Sequence, residues 1–130
     1  MIMAEKSGCT ILLTDDDNNY LQAVAQLLKM AGHEVRTANS GDAALVILAG
    51  GADDIDIALL DIRMPGMDGI ETLGAIRERH PSIPVIMLTG EDAIDLVVSA
   101  MKKGAANYIP KTAAGTELLA AVQTALDERG

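Results

Sequence analysis

The sequence predicts an α/β fold in which helices cover both faces of a parallel sheet. Short apolar runs of strand length alternate with segments whose apolar residues recur at helical spacing, and this alternation repeats about five times in 130 residues. Such alternation is typical of βα units, whose right-handed crossovers make successive strands parallel. No linker, internal repeat or low-complexity stretch divides the chain, so we expect one domain over residues 1–130.

Five short runs are predicted to form the strands. They cover residues 10–14, 33–37, 55–60, 85–88 and 108–109. The second run alternates between polar and apolar residues, which is typical of a short edge strand. The fourth is apolar throughout, as expected for a strand buried on both faces.

Periodicity and capping residues predict the first two helices. The apolar face of the first consists of Tyr20, Val24, Leu27, Leu28 and Ala31. Gly32 is expected to end this helix. Ser40 is a good N-cap for a second helix through Leu48, with Gly50 and Gly51 breaking it.

The remaining helices follow the same logic. Asp68 and Glu71 have the spacing of a capping box, which predicts the start of the third helix. The fourth is predicted over residues 93–102, ending at Gly104, and the last over residues 118–126. Together with the strands, these segments complete the five βα units.

Composition excludes several classes of function. Ten basic against nineteen acidic residues give a net charge of −9, which disfavours binding to nucleic acids and to anionic membranes. No apolar run is long enough to span a membrane. The single cysteine, Cys9, cannot form an internal disulfide, which fits a reducing compartment. We therefore expect a cytoplasmic protein.

Polar residues with chemical potential stand at the ends of four predicted strands. Asp15 and Asp16 follow the first, Asp61 the third, Thr89 ends the fourth and Lys111 follows the fifth. The carboxyl ends of parallel strands share one edge of the sheet, where such folds bind ligands. Clustered carboxylates repel one another without a cation, so this edge is expected to hold a metal ion.

Four segments, ILLTDDD, LLDIRMPGMDG, VIMLTGED and GAANYIPK, occur in this order along nearly the whole chain. Together they resemble the receiver domain of two-component response regulators. The resemblance implies a single receiver domain over residues 1–130. It also implies a flavodoxin-like (CheY-like), doubly wound sheet with strand order 2-1-3-4-5, an order that periodicity alone does not give.

The resemblance also implies roles for individual residues. Asp61 matches the phosphoacceptor. Asp15 and Asp16, together with Asp61 and the backbone carbonyl of Arg63, match the ligands of Mg²⁺ or Mn²⁺. Thr89 matches the hydroxyl that contacts the phosphoryl group, and Lys111 matches the lysine of the family motif.

These roles imply a phosphorylation-dependent switch and not an enzyme. The expected donor is a sensor histidine kinase or a phosphotransfer protein. Thr89 and Tyr108 are expected to couple phosphorylation to the surface formed by the fourth helix, the fifth strand and the last helix. That surface is expected to bind an output domain or a target protein. A homodimer linked to phosphorylation is also compatible with the family.

Two positions near the phosphoacceptor are expected to modulate the site. Arg63 and Glu91 follow Asp61 and Thr89 at equal offsets, so they are expected to pair across the mouth of the site and to slow phosphoryl loss. Thr112 follows Lys111 where the family commonly has a proline, so a trans turn is expected there.

Three other functions stay open at this point. A dehalogenase-type phosphatase also uses a strand-end aspartate, but needs an acid two residues later, where this chain has Arg63. A flavin module needs a phosphate-binding loop and stacking aromatics, and the chain has only two tyrosines. A scaffold on the receiver fold, which contacts proteins without being phosphorylated, is the main alternative.

Overall fold

The computed structural model describes residues 8–64 and 66–128 and contains one five-stranded parallel sheet. Its strand order is β2-β1-β3-β4-β5, which confirms the expected topology. The strands are β1 (Thr10–Thr14), β2 (Glu34–Ala38), β3 (Ile57–Asp61), β4 (Val85–Thr89) and β5 (Asn107–Pro110). Every residue of β1, β3 and β4 is buried, whereas the edge strands β2 and β5 are partly exposed.

Five α-helices connect or follow the strands. They are α1 (Asn18–Met30), α2 (Gly41–Gly51), α3 (Gly69–Arg79), α4 (Val97–Lys102) and α5 (Gly115–Glu128). Short 3-10 helices cover Ala52–Asp54 and Glu91–Leu96. The predicted caps are present: Ser40 accepts a hydrogen bond from the N–H of Ala43, and Asp68 and Glu71 form a reciprocal capping box.

The core has two layers, one on each face of the sheet. Leu48 of α2, Ile76 of α3 and Ala100 of α4 belong to the layer on one face. Leu28 of α1 and Val122 of α5 belong to the layer on the other. Burying both faces of the sheet in this way makes the strand ends a fixed frame for the side chains that follow them.

The prediction for the apolar face of the first helix is partly wrong. Val24 and Leu28 are buried, and Tyr20 and Leu27 pack half-buried against the same core layer, but Ala31 is exposed and follows the end of α1. The buried face also contains Leu21 and Ala25, which the spacing did not identify.

α2 extends past the predicted Leu48 and ends at Gly51, whose φ of 179° and ψ of 51° are not helical, so the prediction that the glycine pair ends this helix is confirmed. Leu48 is buried, and Ala52 after the glycines packs on the same core.

The predicted fourth helix begins differently from its sequence pattern. Residues 91–96 form a 3-10 helix, and α-helical geometry starts only at Val97. No side-chain cap is present at Gly90, since glycine has none to offer. Among the described residues there is no cis peptide bond, so the Lys111–Thr112 bond is trans as expected.

Candidate functional site

The ends of β1, β3, β4 and β5 lie side by side in the sheet. The register pairs Thr14 with Leu60, Asp61 with Leu88, and Thr89 with Pro110. The residues that follow these positions therefore emerge at one edge, as expected for parallel strands. A groove of about 840 Å³ lined by Asp53, Arg79 and His80 lies at the amino ends of the strands instead, away from this chemistry.

Three of the predicted acidic residues come together at this edge. One carboxylate oxygen from each of Asp15, Asp16 and Asp61 lies within 4.8 Å of the others. Asp15 and Asp61 are buried, 0% and 3% exposed, whereas Asp16 faces solvent. Asp17 is not part of the cluster: its side chain accepts hydrogen bonds from Asn19 and Tyr20 as the N-cap of α1.

Backbone groups hold the two buried acids in place. The N–H of Asp17 donates to Oδ1 of Asp15 over 3.0 Å, and the N–H of Arg63 donates to Oδ1 of Asp61 over 3.4 Å. The loop after Asp61 is held close to its strand by Gly69, whose N–H donates to the carbonyl of Ile62. A Cβ on Gly69 would overlap the carbonyl oxygen of Asp61, so only glycine fits there.

Lys111 supplies the positive charge of the site. Its Nζ lies 2.6 Å from Oδ2 of Asp15 and 3.3 Å from Oδ2 of Asp61. Its backbone N–H donates to the carbonyl of Thr89 over 2.8 Å, which fixes the turn that carries it. One ammonium group thus faces two buried carboxylates.

The excess of negative charge perturbs the pKa values of the site. Burial and the neighbouring Asp15 raise the pKa of Asp61 to about 7, although Lys111 and the Arg63 N–H oppose them. Burial lowers the pKa of Lys111, but its contacts with Asp15 and Asp61 outweigh burial, so the net change is upward. The ammonium stays charged, yet it does not fully offset the two acids.

This imbalance suits a divalent cation. Asp15, Asp16 and Asp61 offer only oxygen ligands, which is the donor set that Mg²⁺ and Mn²⁺ prefer. Burial is the main cause of the raised pKa of Asp61, and a second positive charge would offset the repulsion from Asp15 that adds to it. The residues present therefore fit the expected metal.

Thr89 contributes a buried hydroxyl to this edge of the sheet. Its Oγ1 is buried and has no hydrogen-bond partner among residues 8–64 and 66–128. Buried hydroxyls are normally bonded, and an exception calls for an explanation such as a ligand that is accepted there. Thr89 ends the strand next to the one that carries Asp61, so its hydroxyl emerges at the same edge of the sheet as the acidic cluster.

Of the three remaining predicted residues, Tyr108, Arg63 and Glu91, only Arg63 has a described contact with the acidic cluster. Tyr108 on β5 is 38% exposed, so its side chain points partly into solvent. Arg63 is exposed, and its backbone N–H contacts Asp61. The side chain of Glu91 lies outside the described part of the chain, so its pairing with Arg63 stays a prediction.

Sequence reasoning missed one residue of the site. The Nζ of Lys111 lies over the ring of Tyr20, 4.9 Å from its centroid. The helical spacing of Tyr20 predicts a core residue, but in the structure its ring is half-buried beside the acidic cluster. Its distance of four residues from Asp16 was the available signal, because the first turn of α1 starts at the same strand end.

Comparisons with known proteins agree with this geometry. A family model described as the response regulator receiver domain matches residues 11–123. The response regulator protein FleR of Pseudomonas aeruginosa is 41% identical over 101 residues, which cover 78% of this chain and 21% of FleR. The DNA-binding transcriptional regulator NtrC of Salmonella typhimurium is 38% identical over 116 residues, covering 89% of this chain and 24% of NtrC.

Solved structures give the same result. The response regulator receiver domain protein from Clostridium thermocellum superposes with a TM-score of 0.89 at 34% identity. The match covers 93% of this chain and 96% of that one. This chain thus corresponds to a whole solved domain, but to about a quarter or less of the length of FleR and NtrC. No helix within the described ranges is long and apolar enough to cross a membrane.

Proposed function

This chain belongs to the response regulator receiver domain family, and on that premise we propose that it is a switch controlled by phosphorylation of Asp61. Receiver domains of two-component systems act as signalling modules and not as turnover enzymes. The observation that carries the proposal is the buried Asp61 carboxylate beside a buried Thr89 hydroxyl that has no partner. Residues 1–130 are proposed to form one such domain.

In the proposed reaction a carboxylate oxygen of Asp61 attacks phosphorus and forms a new O–P bond. The P–N bond of a donor phosphohistidine breaks, and the imidazole nitrogen keeps the electron pair and takes up a proton. With a small acyl phosphate, the P–O bond breaks and a carboxylate leaves. Hydrolysis later restores Asp61 and releases inorganic phosphate.

The nucleophile must be the ionised carboxylate. The raised pKa of about 7 means that metal-free Asp61 is partly protonated near neutral pH. Mg²⁺ or Mn²⁺, held by Asp15, Asp16, Asp61 and the backbone carbonyl of Arg63, would supply the positive charge that favours ionisation and offsets the charge of the phosphoryl group. Lys111 adds an ammonium that already lies 3.3 Å from Asp61.

Thr89 and Tyr108 are proposed to transmit the modification. A phosphoryl group brings strong acceptor oxygens, and the unpartnered hydroxyl of Thr89 can donate to one of them. Movement of Thr89 would leave space near β5 into which the half-exposed Tyr108 can turn. A preference of about 1.4 kcal/mol would shift such an equilibrium tenfold.

The face that reads this change is proposed to be α4–β5–α5. Exposed apolar side chains occur along it at Ile94, Val98, Met101 and Tyr108. Val98 and Met101 are three residues apart in α4 and share one side of it, while Ile94 lies in the preceding 3-10 helix. Exposed apolar residues that cluster in this way favour contact with another protein.

The partners follow from this proposal. The donor is a sensor histidine kinase or a phosphotransfer protein, and the recipient is an output domain, a target protein or a second phosphorylated copy. The net charge of −9 disfavours binding of nucleic acid or anionic membranes through this domain, and the single cysteine fits the proposed cytoplasmic location. The named relatives FleR and NtrC are regulators, which supports an output role.

Arg63 and Glu91 are proposed to control how long the phosphoryl group persists. They follow Asp61 and Thr89 by two residues, and we propose that their side chains lie at the mouth of the site and hinder an attacking water. Replacing either with alanine should shorten the half-life of the acyl phosphate. An unchanged or longer half-life in both variants would contradict this role.

A direct experiment tests the main proposal. The protein is incubated with acetyl phosphate and MgCl₂, and intact-mass measurement is expected to detect the gain of one phosphoryl group. Asp61→Asn should show no gain, whereas Asp53→Asn, a matched change of an exposed acid at the other edge, should behave like the unmodified protein. EDTA should abolish the gain in the unmodified protein and in Asp53→Asn.

The alternative is a scaffold that contacts proteins through the same α4–β5 face without phosphorylation. The exposed Ile94, Val98 and Met101 favour it, because they are available before any modification. Absence of a mass gain with acetyl phosphate and with every histidine kinase tried would support the scaffold and contradict the switch.

A further inference from the structure

The ring of Tyr20 touches the site through Lys111 and has no role in the chemistry described above. We propose that Tyr20 is a positioning residue for Lys111, whose ammonium it holds at the mouth of the carboxylate cluster, and that it thereby sets the rate of Asp61 phosphorylation. This inference rests on the proposed function. It stands on one contact, that between Lys111 Nζ and the face of the ring, 4.9 Å from its centroid.

Local structure fixes the position of the ring. Asp17 caps α1, and its Oδ1 accepts a hydrogen bond from the N–H of Tyr20 over 3.2 Å. The helix phase sends Leu21 into the core, so Tyr20 lies between the core and the strand ends. One side of the ring packs on the layer that contains Leu28, which leaves little freedom to its two side-chain torsions.

Lys111 needs such support because its side chain is long. Its backbone is anchored to Thr89, but four methylene groups separate that anchor from Nζ. The side chain is 24% exposed, so the ammonium is partly desolvated. A cation over an aromatic face is attracted by the ring quadrupole, and the attraction is stronger when water is partly excluded.

The contact matters most during phosphoryl transfer. One oxygen of Asp61 becomes esterified in that step, so the ammonium loses part of its attraction to this residue and must turn to the incoming phosphoryl oxygens. The ring of Tyr20 does not change in the reaction. It therefore keeps the ammonium within reach of the site while its anionic partners change, which is a positioning effect on the rate.

The electrostatics of Tyr20 agree with this placement. Burial raises the pKa of its hydroxyl, Lys111 lowers it, and Asp15 and Asp61 raise it further. The hydroxyl therefore lies within electrostatic range of Lys111, Asp15 and Asp61, and its raised pKa keeps it neutral in the physiological range. A neutral ring can hold the ammonium in place without competing for its charge, whereas an additional carboxylate would compete.

Three variants separate positioning from stability. Tyr20→Phe keeps the ring, Tyr20→Leu removes it, and Leu27→Ala shortens another half-buried apolar side chain of α1 that contacts the start of α5. Phosphorylation by acetyl phosphate with MgCl₂ is followed by intact mass, and melting temperatures are measured in parallel. Side-chain NMR of Lys111 reports directly on the ring, because protons above an aromatic face resonate upfield.

The expected result is a loss of rate that depends on the ring and not on stability. Tyr20→Leu should be phosphorylated about three- to tenfold more slowly, and Tyr20→Phe should stay within about twofold of the unmodified protein. Leu27→Ala should melt lower and react at the unmodified rate. The Lys111 methylene protons should be upfield in the unmodified protein and Tyr20→Phe, and not in Tyr20→Leu.

Three outcomes would overturn the inference. The first is an unchanged phosphorylation rate in Tyr20→Leu, and the second is an equal loss of rate in Tyr20→Phe and Tyr20→Leu. The third is a loss of rate in Leu27→Ala in proportion to the fall in its melting temperature. Failure of the proposed function is distinguishable, since the unmodified protein would then gain no phosphoryl group at all. In that case the NMR comparison decides the contact alone, and an absent upfield shift would refute it.

Discussion

Removing the charge of Asp61 should stabilise the metal-free protein. The pKa of this buried carboxyl is about 7 in the folded state against an ordinary value of 3.8. The folded form therefore binds the proton more tightly than the unfolded chain, and stability falls as the pH rises from about 4 to about 7. Asp61→Asn keeps the size of the side chain and abolishes this loss.

The magnitude follows from the linkage between pKa and stability. Each pKa unit corresponds to about 1.4 kcal/mol, so a difference of about three units sets an upper limit of about 4 kcal/mol at pH 8. Relaxation of Asp15 and Lys111 around the charge is expected to halve it. We predict a gain of about 2 kcal/mol, which raises the melting temperature by about 6–10 °C in a domain of this size.

The assay is thermal unfolding in EDTA at pH 8 and pH 4, with Asp16→Asn as the matched control. Asp16 belongs to the same cluster but is exposed, so its substitution should change stability little. The gain from Asp61→Asn should nearly vanish at pH 4, where Asp61 is protonated in the folded protein. An equal gain at both pH values, or a loss at pH 8, would refute the reasoning.

Adding Mg²⁺ should stabilise the unmodified protein more than it stabilises Asp61→Asn. At ten times its Kd, a ligand of the folded state adds about 1.4 kcal/mol of stability, and this gain should appear in the unmodified protein. Asp61→Asn and Asp16→Asn should both gain less, because each removes a carboxylate ligand. An equal Mg²⁺ response in all three proteins would contradict the assigned metal site.

Three further substitutions test the frame of the site. Gly69→Ala places a Cβ against the carbonyl of Asp61 and should lower the free energy of unfolding by about 2–3 kcal/mol in urea titrations. The matched control, Gly74→Ala, should not lower it, because nothing lies within 4 Å of a Cβ at that position. Thr89→Val removes a buried hydroxyl that has no partner among the described residues and should raise stability by about 1 kcal/mol, while intact-mass assays show slower phosphorylation. Asp68→Ala removes the capping box of α3 and should cost about 1 kcal/mol by the same titration, and no change would mean that the cap is redundant.

The sequence predicted the strands better than the helix ends. β1 covers the predicted residues 10–14, and the other four strands differ from prediction by one or two residues at an end. Buried strands carry a dense local signal, because both of their faces are apolar. The glycine pair correctly predicts the end of α2 at Gly51, whereas α5 begins at Gly115, before the predicted residue 118, because its apolar pattern starts only at Leu118.

The site was predictable as far as strand ends define it. Asp15, Asp61 and Lys111 converge because parallel strands end at one edge, a consequence of topology that the sequence already contained. The contact between Tyr20 and Lys111 was not predictable in this way. It joins the first turn of α1 to the end of the edge strand β5, and depends on how far a flexible lysine reaches across the sheet.

Two groups that the fold leaves without full compensation, the Asp61 carboxylate and the Thr89 hydroxyl, explain why a small chemical change could act as a switch here. The excess charge at Asp61 and the unpartnered hydroxyl of Thr89 both raise the free energy of the unmodified protein. A cation would offset the first, and a phosphoryl group on Asp61 would satisfy the second. Because both would act on adjacent strand ends, the proposed modified protein would gain stabilisation that the unmodified protein lacks, and only such a difference can shift a conformational equilibrium. A site with every group already satisfied would bind the same ligands without any differential effect on α4–β5–α5.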